Sequence, residues 1–175
     1  SFPPSFPPFS PYSSAGSLTY TLANDVGTND SVSVTLLAVD GGKDGSVDGQ
    51  VSFTLTADRI ETVNLVSTAT VDVGDATASD PIEGLEASAY QNSFTLNGNS
   101  VKTVTVGGDA KVALTIGDLQ DKLETIDATG NTAGVTVTLA NQGVTFNGGS
   151  GDDIITSAKG GAVIHGGAGA DSYNI

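Results

Sequence analysis

Two stretches of one glycine-aspartate pattern lie near the end of the chain, the second starting two motif lengths after the first. They are Gly148-Gly149-Ser150-Gly151-Asp152-Asp153-Ile154-Ile155-Thr156 and Gly166-Gly167-Ala168-Gly169-Ala170-Asp171-Ser172-Tyr173-Asn174. Both read G-G-x-G-x-D-x-U-x, with U a large apolar residue, the nonapeptide of a calcium β-roll. Glycines let the backbone turn tightly and aim its carbonyl oxygens inward. The aspartate adds a carboxylate, and the apolar residue leads a short strand into a core. A donor set made of oxygens alone suits calcium, which takes roughly six to eight of them. One turn cannot supply that many. Two turns stacked one coil apart can, a coil being two nonapeptides, so a calcium ion is expected between Asp153 and Asp171. The alternative is a pair of ordinary glycine loops in a secreted β protein.

The segment between the two turns keeps their phase. Ser157 to His165 is a degenerate nonapeptide with Gly160 at the fourth place and Ile164 at the apolar place. The apolar place then reads Val137, Phe146, Ile155, Ile164 and Tyr173, one per nonapeptide.

The elements that must hold these turns are short strands. Ser17–Leu22, Val32–Leu36 and Val51–Leu55 alternate with period two. Further strand signals occur at Lys111–Ile116 and Val135–Leu139. Ser52-Phe53-Thr54-Leu55 and Ile60-Glu61-Thr62-Val63-Asn64-Leu65 reappear later at one constant offset, as Ser93-Phe94-Thr95-Leu96 and Val101-Lys102-Thr103-Val104-Thr105-Val106. Leu123-Glu124-Thr125-Ile126-Asp127-Ala128 is a third, partial copy of the second block. Self-similarity among strands this short predicts a solenoid, each coil burying its apolar face on the next. Pro81–Tyr90 and Ile116–Lys122 read as short helices or corners. Asp40–Gly49 has carboxylates spaced like half an EF-hand loop, but Leu55 stands where the closing Glu belongs. It reads as a long hairpin loop between the strands on either side.

Composition suits a β protein with many short strands and turns. Of 175 residues, 20 are acidic and 6 basic, for a net charge of −14. Such a surface repels nucleic acid and anionic membrane and attracts divalent cations. There is no Cys, so neither disulfides nor a zinc-thiolate site supports the fold. No apolar run is long enough for a membrane span. The absence of Met and the end just after the second motif read as a processed or partial chain. Ser1-Phe2-Pro3-Pro4 recurs as Ser5-Phe6-Pro7-Pro8, which favours an extended arm or a linker. The predicted organisation is an arm or linker over 1–17, a β-rich segment over 18–59, a β-solenoid over 60–147 and a calcium β-roll over 148–175. The predicted fold class is all-β, a right-handed parallel β-solenoid.

From Ile60 to Ile175 the chain resembles RTX-type calcium-binding surface proteins secreted by Gram-negative bacteria, and among them the crystalline surface-layer (S-layer) proteins of Caulobacter and its relatives. Val104–Thr115, Leu123–Ala128 and Gly143–Asp153 carry the resemblance together with the two nonapeptides. It implies type I secretion, calcium-dependent folding outside the cell and assembly of copies into a lattice on the cell surface, with outer-membrane polysaccharide as a further partner. It also implies the ligands. Asp153 and Asp171 supply carboxylates; Gly148, Gly149 and Gly151, with Gly166, Gly167 and Gly169, supply the turns' carbonyls; Asp152 is a second-rank candidate.

Catalysis has little in its favour in the residues. A Ser-His-Asp triad would have to use the single His165, at the variable last place of a nonapeptide. No H-E-x-x-H is present. A polysaccharide lyase on a β-solenoid would need acids and bases clustered on one face. The pairs Thr54/Thr56, Thr103/Thr105 and Thr136/Thr138 raise ice binding as a further alternative, though Thr is also a common residue of solvated strands. A structural, non-enzymatic surface protein is the expectation, with an RTX adhesin as the alternative.

Overall fold

The computed structural model describes residues 14–21, 27, 29–39, 49–70, 87–117, 119, 121–140, 143–158 and 161–175. These form thirteen strands: β1 (Ser14–Thr21), β2 (Ser31–Val39), β3 (Val51–Asp58), β4 (Thr62–Thr70), β5 (Gln91–Gly98), β6 (Thr103–Gly108), β7 (Lys111–Ile116), β8 (Thr125–Asn131), β9 (Val135–Leu139), β10 (Thr145–Asn147), β11 (Ile154–Ser157), β12 (Val163–His165) and β13 (Ser172–Asn174). Odd-numbered strands make a seven-stranded sheet and even-numbered strands a six-stranded one. Every pairing is parallel and joins a strand to the one two places on. The chain therefore visits the two sheets in alternation, and one visit to each is here called a circuit. This all-β order is compatible with a parallel solenoid. Among the described residues, no helix is long and apolar enough to cross a membrane.

The register follows the internal repeats. Ser52, Phe53, Thr54 and Leu55 pair with Ser93, Phe94, Thr95 and Leu96. Thr62 to Leu65 pair with Thr103 to Val106, and Thr103 and Val104 in turn with Thr125 and Ile126. Like residues thus stack on like. The rings of Phe53 and Phe94 lie 6.3 Å apart and 9° from parallel. The apolar series of the nonapeptides splits between the sheets. Val137, Ile155 and Tyr173 share one column of the seven-stranded sheet, and Phe146 pairs with Ile164 in the other.

Period-two alternation sends these columns inward. Val63, Val104, Ile126 and Phe146 form one buried run down the six-stranded sheet, continued at its ends by the partly buried Val32 and Ile164. Burying each such side chain contributes roughly 1.5–3 kcal/mol. The outward columns are polar. Thr62, Thr103, Thr125 and Thr145 make one, and Ser33, Asn64, Thr105, Asp127, Asn147 and His165 the next. Thr105 Oγ1 donates to Asn64 Oδ1 at 2.8 Å, tying adjacent strands on the solvent face.

The circuits shorten along the chain. Down the seven-stranded sheet Phe53 and Phe94 are farther apart in sequence than Phe94 and Leu114, Leu114 and Val137, or Val137 and Ile155, and the last of these pairs is the closest. From β9 onward one circuit is two nonapeptides long. β6 and β8 slip register after Thr105, which sets Gly107 beside Gly130.

Two expectations need correction or narrowing. The strands flanking Asp40–Gly49 do not form a hairpin: β2 pairs with β4, and β3 with β1 and β5, in the other sheet. Alternation marks a strand but does not say which strand it pairs with. Ile116–Lys122 is a corner, with strand to Ile116 and a turn at Asp121, and of Pro81–Tyr90 the described part is one 3-10 turn, Ala87–Ala89. Strand β1 begins at Ser14, within the span expected as an arm, and both sheets run across positions 59/60 and 147/148. Residues 1–13 and most of Asp40–Gly49 lie outside the described residues.

Candidate metal centre

The passages from β6 to β7, β8 to β9, β10 to β11 and β12 to β13 stack one on the next, Thr132 N donating to Gly108 O, Ser150 N to Asn131 O and Ala168 N to Gly149 O, and the acidic nonapeptides are the last two of these turns. Residues 148–153 join β10 to β11, and 166–171 join β12 to β13. They stack directly. Ala168 N donates to Gly149 O at 2.9 Å and Ser172 N to Asp153 O at 2.8 Å. The Asp153 amide donates to Asp171 Oδ1 at 3.0 Å, and the Ala170 amide to Asp152 Oδ1 at 2.7 Å. All three candidate carboxylates therefore lie in one pair of turns, as a spacing of two nonapeptides predicts.

Their surroundings differ. Asp153 is 1% exposed. Its Oδ1 accepts the Val135 amide of the preceding circuit at 2.7 Å, and its Oδ2 the Gly149 amide of its own turn at 3.3 Å. Burial pushes its carboxyl above the ordinary value of 3.8, the Val135 amide pulls it back, and the Asp171 carboxylate adds to the rise. Asp171 is half-buried at the outer turn, and the Tyr173 hydroxyl donates to its Oδ2 at 3.3 Å. Loss of hydration and then the Asp171 charge push the Tyr173 phenol up. Asp152 is exposed and points along the stack at the next turn's amide.

The glycines let oxygens crowd together where a side chain has no room. A Cβ on Gly148 would meet the Asp153 carboxylate and the Gly166 carbonyl oxygen. One on Gly166 would meet the Asp171 carboxylate and the Tyr173 hydroxyl, and one on Gly167 the Gly148 and Gly149 carbonyls. Gly167 and Gly169 have φ of +94° and +115°, which side chains other than glycine rarely adopt. Gly149 and Gly151 press instead on the preceding turn, at Asn131 and Ala133. Two carboxylates and several carbonyls crowded where a methyl group does not fit are of the kind that a calcium ion takes as donors. No three His, Cys, Asp or Glu side chains converge among the described residues, so such an ion would depend on backbone oxygens.

One earlier circuit carries an amide at the place that Asp153 takes here, and the two circuits between carry valines. Asn92 stands in one column with Val112, Val135 and Asp153. It is fully buried. Its Oδ1 accepts the Val51 amide at 2.9 Å, as Asp153 accepts that of Val135. Its Nδ2 donates towards Ser67 Oγ at 3.1 Å, Thr68 O at 3.3 Å and Leu36 O at 3.4 Å. Buried Asn131 caps the next turn, accepting the Ala133 and Gly134 amides and donating to Ala110 O. Asn92 was visible as a polar residue at an inward position of Asn92-Ser93-Phe94-Thr95-Leu96.

The remaining candidates are scattered. His165 ends β12 on the outward polar column. Thr54/Thr56 and Thr136/Thr138 lie on the seven-stranded sheet and Thr103/Thr105 on the six-stranded one, so the three pairs do not share a face. No protein-family model, curated protein or solved structure matches the chain.

Proposed function

We propose that this chain is a structural cell-surface protein, a right-handed parallel β-solenoid that ends in an RTX calcium roll and serves as an S-layer-type subunit. The stacking of two acidic glycine turns around the buried Asp153 is the observation that carries this reading. A carboxylate held there by two backbone amides, with no ion pair to a cationic side chain among the described residues, is costly to bury charged. A calcium ion, held by Asp153, Asp171 and carbonyls of Gly148–Gly151 and Gly166–Gly169, would neutralise it, and its binding energy would add to folding. In the low-calcium cytoplasm the carboxylates leave the turns loose. Outside the cell they close. The −14 net charge keeps subunits apart until calcium screens and bridges facing carboxylates. The protein would be exported from a Gram-negative cell and perform no catalysis.

The test is assembly. Millimolar calcium added to chelated protein should give oligomers or sheets, seen by light scattering and electron microscopy, that dissolve on chelation. Protein that stays monomeric in calcium yet binds a glycan or a foreign cell surface would replace the S-layer reading with the adhesin one.

A further inference from the structure

The polar groups that line the turns on the acidic side change character along the molecule, from uncharged amides to carboxylates. Asn92 and Asp153 do the same thing with one oxygen. Each accepts, from its inward place in the column, the amide of the residue beside it in the preceding circuit: Val51 at 2.9 Å and Val135 at 2.7 Å. They differ in the second atom. Asn92 presents an NH2 that faces three oxygens, Ser67 Oγ, Thr68 O and Leu36 O, at 3.1–3.4 Å. Asp153 presents a second oxygen, whose donor is the Gly149 amide at 3.3 Å, and a Cβ on Gly148 would meet both that oxygen and the Gly166 carbonyl oxygen. Acceptors crowded around one point repel unless a proton or a cation stands among them. At Asn92 the amide hydrogens take that place. Ser67 Oγ extends the arrangement by donating to Lys111 O at 3.0 Å, and Asn131 Nδ2 donates to Ala110 O at 3.1 Å one turn further on.

We propose that Asn92 and Asn131 are built-in uncharged substitutes for the cation, so that the circuits from β3 through β8 fold without calcium and only the last strands, β10 through β13, answer to it. This rests on the calcium reading of the Asp153 turn. It adds that the response is confined to one end, on a platform that is already folded.

Amide hydrogen exchange on the whole chain, in calcium chloride and in chelator, tests this. In chelator, amides of Val51–Asp58, Gln91–Gly98 and Thr103–Gly108 should keep their protection. Those of Thr145–Asn147, Ile154–Ser157 and Val163–His165 should lose it by at least about tenfold. Loss of protection along the whole chain at once would overturn the proposal while leaving the calcium reading intact. Protection independent of calcium everywhere would overturn both. Asn92→Asp keeps the acceptor for the Val51 amide and sets a second oxygen against Ser67, Thr68 and Leu36. Protection of Gln91–Gly98 in this variant should be lost in chelator and regained in millimolar calcium. Unchanged protection in chelator, or a loss that calcium does not reverse, would show that Asn92 is not a substitute for the cation.

Discussion

Asp153 is the residue at which chemistry and folding meet. Its carboxyl is raised, first by burial, so without calcium the folded state holds this proton more tightly than the unfolded chain does. The folded pKa lies above the unfolded one. The stability tied to this group is therefore fully present below the ordinary carboxylate pKa of 3.8 and is lost as pH rises through the raised folded value. Thermal melts of chelated protein should show a fall in stability above about pH 4 that is smaller in Asp153→Asn. At neutral pH that variant, in chelator, should melt higher than the parent, by about 2–4 °C per kcal/mol gained. It should also lose the calcium response, since an amide brings no charge to the ion and one oxygen fewer. A parent that melts higher than Asp153→Asn in chelator would contradict this account. Gly148→Ala probes the same crowding by size. Its methyl group would strike the Asp153 carboxylate and the Gly166 carbonyl, so calcium affinity measured by calorimetry should drop at least about tenfold (about 1.4 kcal/mol). Unchanged affinity would place the ion elsewhere.

At the scale of the element, the strands were legible wherever the chain repeats itself. The long repeat already contains the pairing of Phe53 with Phe94 and of Val63 with Val104. The apolar series of the nonapeptides already contains Val137, Ile155 and Tyr173 as one column and Phe146 with Ile164 as another. Where repetition fails, local pattern is not enough. β2 and β3 both alternate, and nothing between them says that they belong to opposite sheets. Asn92 and Asn131 escaped notice because an amide has no metal-binding motif, although both occupy inward positions that favour apolar residues. The stacked column also makes a quantitative prediction. Phe94 is fully buried between Phe53 and Leu114. Phe94→Ala should cost about 3–5 kcal/mol in denaturant unfolding, with or without calcium, because its circuit is held by apolar contacts and amides. A cost that appears only in chelator would mean that the ion supports the whole stack.

The whole molecule is close to one-dimensional, since each strand pairs only with those two places before and after it. Removal of residues 148–165, one complete circuit, should leave a shorter chain that still folds, with the turn at 166–171 resting on the one between β8 and β9. Circular dichroism and exchange protection of Gln91–Gly98 would check this, and a chain that fails to fold would contradict independent stacking. The shortening of the circuits has one more consequence, for how such a molecule can be lengthened or cut. The nonapeptide looks like the unit of the sequence, but it carries the chain only from one sheet to the other. An insertion of one nonapeptide between Asp153 and Asp171 would send the second acidic turn to the opposite side, where β11 leads on to β12, and leave each carboxylate without its counterpart. An insertion of two would return it to the same side with every strand in its own sheet. The shortest tandem duplication by which this gene could grow and still encode a working cation site is therefore one that copies a pair of motifs, and a duplication of a single motif would be selected against.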